Sequence, residues 1–134
     1  MAPECILGFL GNMKYMDQEF EYMFNLATNL CKEHNNLNYS CSNNICIVLL
    51  SNNGVYYSEI LDWHTKDENI LNDILYNSDT HIIKILCVFV NGELDLPPYY
   101  LRKRLCDLNT NNNYAEIMLK TKDGYHVRKL IETF

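Results

Sequence analysis

The run HIIKILCVFV, residues 81–90, is the feature that most limits how this chain can fold. It is almost continuously apolar, and such a strand is stable where both of its faces are covered. A shorter apolar run, 45–50, and a return strand, 55–60, flank Asn53-Gly54 and indicate a β-hairpin. We expect a type I′ turn there, because that turn needs positive φ at both central residues. The sequence therefore predicts a sheet with strand 81–90 near its centre and packed layers on both sides.

Helical periodicity supplies those layers. Residues 17–34 have apolar side chains at helical spacing, and Asp17 is a candidate N-cap. A second helix is expected after Thr65, which forms an S/T-x-x-E capping box with Glu68. The PP pair of PPYYL suits the first turn of a third helix. The side chains that we expect to pack are Phe20, Met23, Phe24, Ala27, Leu30 and Cys31 in the first helix, Ile70, Leu71, Ile74 and Leu75 in the second, and Leu101, Leu105 and Leu108 in the third.

The last part of the chain adds a strand over residues 114–119, a turn at Asp123-Gly124 and a short terminal helix. That helix is expected to use Val127, Leu130, Ile131 and Phe134. Strands thus alternate with helices, which predicts an α/β fold with right-handed crossovers and a mixed sheet. The length of 134 residues fits one domain, here 17–134, preceded by a segment of unclear structure, 1–16.

Charge and cysteine content restrict the classes of function. A net charge of −6 makes nucleic acid an unexpected partner, because binding to phosphates needs a basic face. Residues 1–16 have neither the basic start of a signal peptide nor the length of a membrane span, so no membrane association is expected. None of the six cysteines forms a CxxC pair. We expect reduced, buried thiols in an intracellular protein, either cytoplasmic or nuclear.

The stretch LDLPPYYLRKRLCDL, residues 94–108, resembles part of the cytidine deaminase superfamily, most closely the small cytidine and blasticidin-S deaminases. In that family an H-x-E or C-x-E motif begins one helix and a P-C-x-x-C motif begins the next. Pro97 matches the family proline, and Arg102 matches the arginine after the second cysteine. The hairpin IVLLSNNGVYY and the tail IMLKTKDGYHVRKLIETF are also similar to family elements. The resemblance implies a three-layer fold with about five strands over residues 17–134.

The positions that match the zinc ligands of the family carry no ligand atoms here. Pro98 and Leu101 stand at the two thiolate positions, and Lys66 stands two residues before Glu68, which matches the family glutamate. Leu61 replaces an asparagine that resembles a ribose-binding residue. Zinc requires thiolate, imidazole or carboxylate ligands, and without zinc there is no activated hydroxide. The resemblance thus implies no metal, no cofactor and no deaminase activity, only a vestigial pocket formed by Lys66, Glu68, Pro98, Leu101 and Arg102.

Charged residues near these motifs have two readings each. Glu68 is either a remnant general acid and base or a carboxylate that stabilises a helix N-terminus. Arg102, Lys103 and Arg104 form either a solvated helix face or a surface that recognises a partner. The family arginine resembles a donor to the metal thiolates; because the thiolates are missing here, we expect Arg102 either to pair with Glu68 or another carboxylate or to recognise a partner.

Aromatic residues near the same motifs are also ambiguous. Trp63 either fills the vacated pocket or anchors an interface, and Tyr99 and Tyr100 serve either core packing or partner contact. The candidate interface residues are therefore Trp63, Tyr99, Tyr100, Arg102, Lys103 and Arg104.

Four functions are compatible with the sequence. The first is a pseudoenzyme that acts through protein–protein contact, as an adaptor or within a homo- or hetero-oligomer. The second is a module that binds a nucleoside or nucleotide without converting it. The third is an enzyme with a zinc site rebuilt around His64 and Cys106. The fourth is an unrelated small α/β scaffold, since a fold does not fix a function.

Overall fold

A five-stranded mixed sheet forms the centre of the molecule, with strand order β2-β1-β3-β4-β5. The computed structural model describes residues 17–37, 44–62, 69–89 and 91–134. Neighbouring strands are antiparallel except for β3 and β4, which run parallel. The strands are β1 Asn44–Ser51, β2 Tyr56–Asp62, β3 Ile82–Phe89, β4 Glu116–Thr121 and β5 Gly124–Lys129.

Helices cover both faces of this sheet. They are α1 Gln18–Leu37, α2 Ile70–Tyr76 and α3 Tyr99–Leu108, with 3-10 helices at Thr110–Tyr114 and Leu130–Thr133. The α1-side cluster consists of Phe20, Met23, Ala27, Cys31, Cys46, Val48, Leu50, Leu86, Val88 and Met118. The α2–α3-side cluster consists of Ile45, Ile47, Leu49, Tyr57, Leu61, Ile70, Leu71, Ile74, Ile82, Ile85, Cys87, Leu101, Leu105, Ala115, Ile117 and Leu130. The predicted three-layer α/β architecture is confirmed.

Strand β3 lies between β1 and β4, as its continuous apolar sequence predicts. Leu86 and Val88 belong to the α1-side cluster, and Ile85 and Cys87 belong to the α2–α3-side cluster. All four side chains are fully buried. A strand that contributes to both cores has no solvent-facing side to mark with polar residues, which explains why its sequence does not alternate.

The start of α1 is also as predicted. Asp17 Oδ1 accepts a hydrogen bond from the Phe20 amide at 2.7 Å, which is the geometry of an N-cap. Lys84 of β3 then donates to Asp17 Oδ2 at 2.7 Å and to Glu19 Oε1 at 2.6 Å. These contacts attach the first turn of the helix to the central strand.

The β1–β2 turn differs from the predicted type I′ geometry. Gly54 has a φ of +84°, but Ser78 is the only non-glycine residue of the described chain with positive φ, so Asn53 does not adopt the left-handed region. The Asn53 side chain instead donates to Asp79 Oδ1 at 2.8 Å. Ser51 N donates to the Val55 carbonyl and closes the turn. The type I′ prediction is wrong because a tertiary contact orients Asn53.

The C-terminal part also departs from prediction. Gly124, with a φ of +124°, reverses the chain into β5, and Val127 lies in this strand rather than in a terminal helix. Only Leu130 to Thr133 are helical, as a 3-10 turn. Leu130 is fully buried, whereas Ile131 and Phe134 are about half exposed. The short terminal helix therefore begins later than predicted, at Leu130, because strand pairing with β4 continues to Lys129.

The thiols of the described residues are mostly buried. Cys31, Cys46 and Cys87 are free and buried, and Cys106 is partly buried. Burial raises the pKa of the Cys87 thiol well above its ordinary value. A protonated, buried thiol is a poor nucleophile, so Cys87 acts as a small core residue. Cys5 and Cys41 lie outside the described residues.

No helix in the described ranges is both long and apolar enough to cross a membrane.

Candidate functional site: the start of helix α3

Helix α3 begins at the motif that matched the deaminase proline. Pro98 is the N-cap residue, with a φ of −54° and a ψ of 148°, and its carbonyl accepts from the Leu101 and Arg102 amides, both at 3.1 Å. Proline has no amide hydrogen to leave unsatisfied at this position, so the PP pair begins the helix without cost. The predicted start of the third helix is confirmed.

The two positions that match the family thiolates are occupied by buried apolar side chains. Pro98 is buried, and Leu101 is fully buried in the α2–α3-side cluster with Leu105 and Ile70. Neither side chain has a lone pair for a metal ion. Across the four described ranges, no group of three His, Cys, Asp or Glu residues could hold a metal ion. The described residues at this position therefore do not fit a zinc site.

Other positions taken from the family pattern are likewise apolar or lie outside the described part. Leu61 is 2% exposed and packs in the same cluster as Leu101. Cys106, one half of the rebuilt zinc site considered above, is partly buried, and burial raises the pKa of its thiol. Trp63, His64, Lys66 and Glu68 lie outside the described residues, so their predicted roles stay predictions.

Arg102 has an internal role. Its Nε donates to the Pro97 carbonyl at 2.8 Å, and its Nη1 donates to the Thr133 carbonyl at 2.7 Å and to Thr133 Oγ1 at 3.0 Å. Its guanidinium also lies over the rings of Tyr99 and Phe134, at 5.8 and 5.4 Å from their centroids. Burial lowers the pKa of this guanidinium. Arg102 thus fastens the C-terminal turn to the start of α3.

The predicted solvated face is wrong for Arg102, which is only 9% exposed, and its described partners are not carboxylates. The prediction is correct for Lys103 and Arg104, which are exposed. Lys103 forms an i,i+4 ion pair with Asp107 at 3.3 Å. Such exposed pairs contribute little to stability.

The two tyrosines at the start of α3 have different surroundings. Tyr100 packs partly buried against the α2–α3-side cluster. Tyr99 is 61% exposed, and its ring meets the ring of Phe134 edge-on with centroids 5.6 Å apart. Tyr99 and Phe134 therefore form an exposed aromatic surface, held in place by Arg102 beneath it.

Comparison with known proteins identifies this architecture. No family model matches the sequence, and no curated protein is significantly similar to it. Among solved structures, cytidine deaminase from Mycobacterium tuberculosis superposes with a TM-score of 0.56 at 12% identity, covering 82% of this chain and 92% of that one. A point mutant of the same enzyme gives 0.57 at 12% identity, with 82% and 90% covered. Cytidine deaminase from Mycobacterium leprae gives 0.52 at 13% identity, with 68% and 77% covered.

The chain has a cytidine-deaminase-like fold. At identities of this size, the likeness concerns the fold. Helix α3 begins directly after Pro98, and the match of Pro98 and Leu101 to the thiolate positions of the family stays a prediction.

Within this cytidine-deaminase-like fold, α2 begins later than the sequence indicates. It starts at Ile70, and its N-cap, Asn69, makes no side-chain capping bond. The Glu59 carboxylate of β2 caps the helix instead: its oxygens accept from the Asn69 amide at 2.8 and 2.9 Å and from the Ile70 amide at 2.8 Å. These amides at the start of the helix are therefore satisfied from another element, and the capping box predicted at Thr65 and Glu68 lies outside the described residues.

Sequence reasoning missed Glu59, although a pattern points to it. Tyr57 and Leu61 of β2 both lie in the α2–α3-side cluster, so Glu59 stands between them on the inward face of the strand. A carboxylate on an inward position needs donors nearby, and a helix N-terminus supplies them. The alternation Y-x-E-x-L was therefore an available indication of a cap.

Proposed function

We propose that this protein is a catalytically inactive relative of the deaminase fold that acts through protein–protein contact. One observation carries the proposal: the residues at both thiolate positions, Pro98 and Leu101, are apolar and buried in the core, while the helix that they begin is intact. A fold that packs apolar side chains at the metal position retains its architecture but has no means of activating water.

The alternative, a module that binds nucleosides in the same pocket, has less support. Leu61 and Leu101 are both buried in the α2–α3-side cluster, and their side chains offer no hydrogen bonds to a ribose or a base. A polar ligand placed against such side chains would lose its hydrogen bonds to water without replacement.

The exposed surface at the start of α3 supports a role in protein contact. It combines the aromatic pair Tyr99 and Phe134 with the exposed cations Lys103 and Arg104. Aromatic residues and arginine are enriched in protein interfaces. We propose that this face contacts a protein partner, either another copy of this chain or a different protein, and that the protein works inside the cell, where its thiols stay reduced.

The absence of a zinc site is tested by metal analysis of protein purified in zinc-containing buffer. We expect far less than one zinc per chain and no deamination of cytidine. A variant with Lys66→Cys, Pro98→Cys and Leu101→Cys is the matched comparison, because it restores a thiolate at each position of the family pattern. Stoichiometric zinc in the unaltered, folded protein would overturn the proposal.

Partner contact is tested by affinity capture from extract of the native cells, together with light scattering of the purified protein. The variant Tyr99→Ser with Lys103→Glu changes the proposed surface, and Lys32→Glu, an exposed change on α1, is the control. We expect the first variant to lose the captured partner or the self-association while retaining its circular dichroism spectrum. A strictly monomeric protein that captures nothing, or capture that is equal for both variants, contradicts the proposal.

A further inference from the structure

A cleft of about 760 Å³ opens at the ends of β3 and β4. Its walls are formed by α1, by the segment that follows β3, and by the β4–β5 hairpin. The lining residues whose chemistry matters are Phe24, Phe89, Glu93, Asp95, Lys120, Lys122 and Tyr125. This volume lies within the range of small-molecule sites.

The cleft is separate from the vestigial pocket. Phe24, Leu94 and Tyr125 of the lining pack against the α1-side cluster, and Phe89 packs against the α2–α3-side cluster, to which Leu101 belongs. Pro98, Leu101 and Arg102, the vestigial-pocket residues that the structure describes, do not line it. A ligand bound here would therefore leave the start of α3 unobstructed.

One wall of the cleft is held by a network of short-range hydrogen bonds. The Phe89 amide donates to the Glu93 carbonyl at 2.9 Å, and Gly92 turns the chain with a φ of +90°. Asn91 Nδ2 donates to Glu93 Oε1 at 2.8 Å, and the Asp95 amide donates to the Cys87 carbonyl at 3.0 Å. The Leu96 amide also donates to Asp95 Oδ1 at 2.6 Å, so both carboxylates on this wall are positioned before any ligand arrives, which lowers the cost of binding.

The opposite wall carries positive charge. Within the ranges that the structure describes, neither Lys120 nor Lys122 makes an ion pair or a hydrogen bond through its ammonium group. The rings of Phe24 and Tyr125 line the cleft from the α1 side of the sheet, whereas the ring of Phe89 packs against the opposite side. Aromatic side chains bind planar rings through stacked or edge-on contact, and ammonium groups bind carboxylate or phosphate.

We propose that this cleft binds a small aromatic anion, with its ring against Phe24 and Tyr125 and its phosphate or carboxylate toward Lys120 and Lys122. A hydrogen-bond donor at the far end of the ring would meet the carboxylates of Glu93 and Asp95. The ligand must carry the ring, the anionic group and the hydrogen-bond donor together, because the carboxylates of Glu93 and Asp95 disfavour a simple anion.

The test is a titration of the full chain followed by amide NMR, with adenosine monophosphate and 4-aminobenzoate as probes. Both carry a ring, an anion and an amine, and they distinguish a phosphate ligand from a carboxylate ligand. We expect saturable shifts at the Gly92, Thr121 and Tyr125 amides with at least one probe. Adenosine and inorganic phosphate, which lack the anion and the ring respectively, should bind at least about tenfold more weakly, or about 1.4 kcal/mol.

The double variant Lys120→Gln and Lys122→Gln should weaken binding by a similar factor. Lys32→Gln, an exposed change on α1 outside the lining of the cleft, is the control and should leave binding unchanged. The proposal is overturned if neither probe saturates, if inorganic phosphate binds as well as the probes, or if the double variant binds normally. Because the proposed protein-contact face lies on α3, loss of ligand binding in the double variant leaves partner capture unaffected.

Discussion

At the scale of single residues, Asn112 joins three separate segments. Its Oδ1 accepts from the Ile82 amide at 2.7 Å, and its Nδ2 donates to the Leu105 carbonyl at 2.8 Å and to the Thr80 carbonyl at 2.9 Å. The side chain is fully buried. It therefore satisfies backbone groups at the start of β3 and in α3 at the same time.

Replacing Asn112 with Ala should destabilise the fold by about 3 kcal/mol, because it leaves buried backbone groups without partners. Asn111→Ala, an exposed change in the same 3-10 helix, should alter stability by less than about 0.5 kcal/mol. Urea denaturation followed by circular dichroism measures both. Equal effects of the two changes would contradict the role given to Asn112.

The sequence did not distinguish Asn112 from its neighbours. The run NTNNN indicates turns or loops, and composition alone cannot tell which amide of several faces inward. A 3-10 helix at Thr110–Tyr114 directs one of them into the core, and this depends on how α3 packs on the sheet.

Asp79 is a second buried polar residue whose side chain joins separate segments. It is 4% exposed, and its carboxylate accepts from Tyr57 Oη and Asn53 Nδ2, both at 2.8 Å. Burial by itself raises the pKa of this carboxyl, but hydrogen bonds from Ser51, Tyr57 and Asn53 outweigh burial, and the pKa is lowered. The charged form is therefore the one that the fold stabilises.

A lowered folded-state pKa gives the pH dependence its sign. The Asp79 carboxylate stabilises the fold above its unfolded pKa of about 3.9, and this contribution is lost as the pH falls through the folded-state value. The stability difference between the protein and Asp79→Asn should thus be larger at pH 7 than below about pH 3. Urea midpoints at both pH values measure it, with exposed Asp73→Asn as the control. A difference that is independent of pH would show that the charge is unimportant.

At the scale of elements, the boundaries of helices depend on contacts as well as on local sequence. The span of α1 and the strands β1 and β3 followed from periodicity, since each has a regular apolar face or an unbroken apolar run. The start of α2 did not, because its cap comes from Glu59, ten residues earlier. Local patterns cannot encode a donor and an acceptor that only folding brings together.

Changing Glu59 to Ala should lower the free energy of unfolding by about 1 kcal/mol, which is the usual effect of losing an N-terminal cap. Glu59→Gln keeps an acceptor but loses the charge, so its effect should be smaller. Hydrogen exchange of the Ile70 amide should accelerate most in Glu59→Ala, which locates the effect at α2. Glu116→Gln, an exposed change on β4, is the control for charge alone.

At the scale of the whole molecule, neighbouring strands of the sheet pair over unequal lengths. β1 and β3 pair along nearly their whole length, whereas β3 and β4 pair only at Lys84 with Glu116 and at Ile85 with Ile117. The β4–β5 hairpin is thus attached to the rest mainly through side-chain packing. Alternation of strands and helices predicted the fold class, but register and pair length depend on geometry that the sequence does not display.

The short β3–β4 ladder predicts that the β4–β5 hairpin opens without global unfolding. In native-state hydrogen exchange, hairpin amides that bond across β4 and β5 should exchange with a lower opening free energy than those of β1 and β3. Increasing urea should merge the two groups only near the global transition. A single opening free energy for all five strands would show that the sheet unfolds as one unit.

The buried side chains at the start of α3 also matter to anyone who would engineer this protein. Exchanging Leu101 for a smaller, ligating residue removes core volume, and changes of this type commonly cost about 2 kcal/mol or more. The total free energy of unfolding of a natural domain is only about 5–15 kcal/mol. Installing a metal would therefore require added stability elsewhere first, because packing and coordination chemistry compete for the same space.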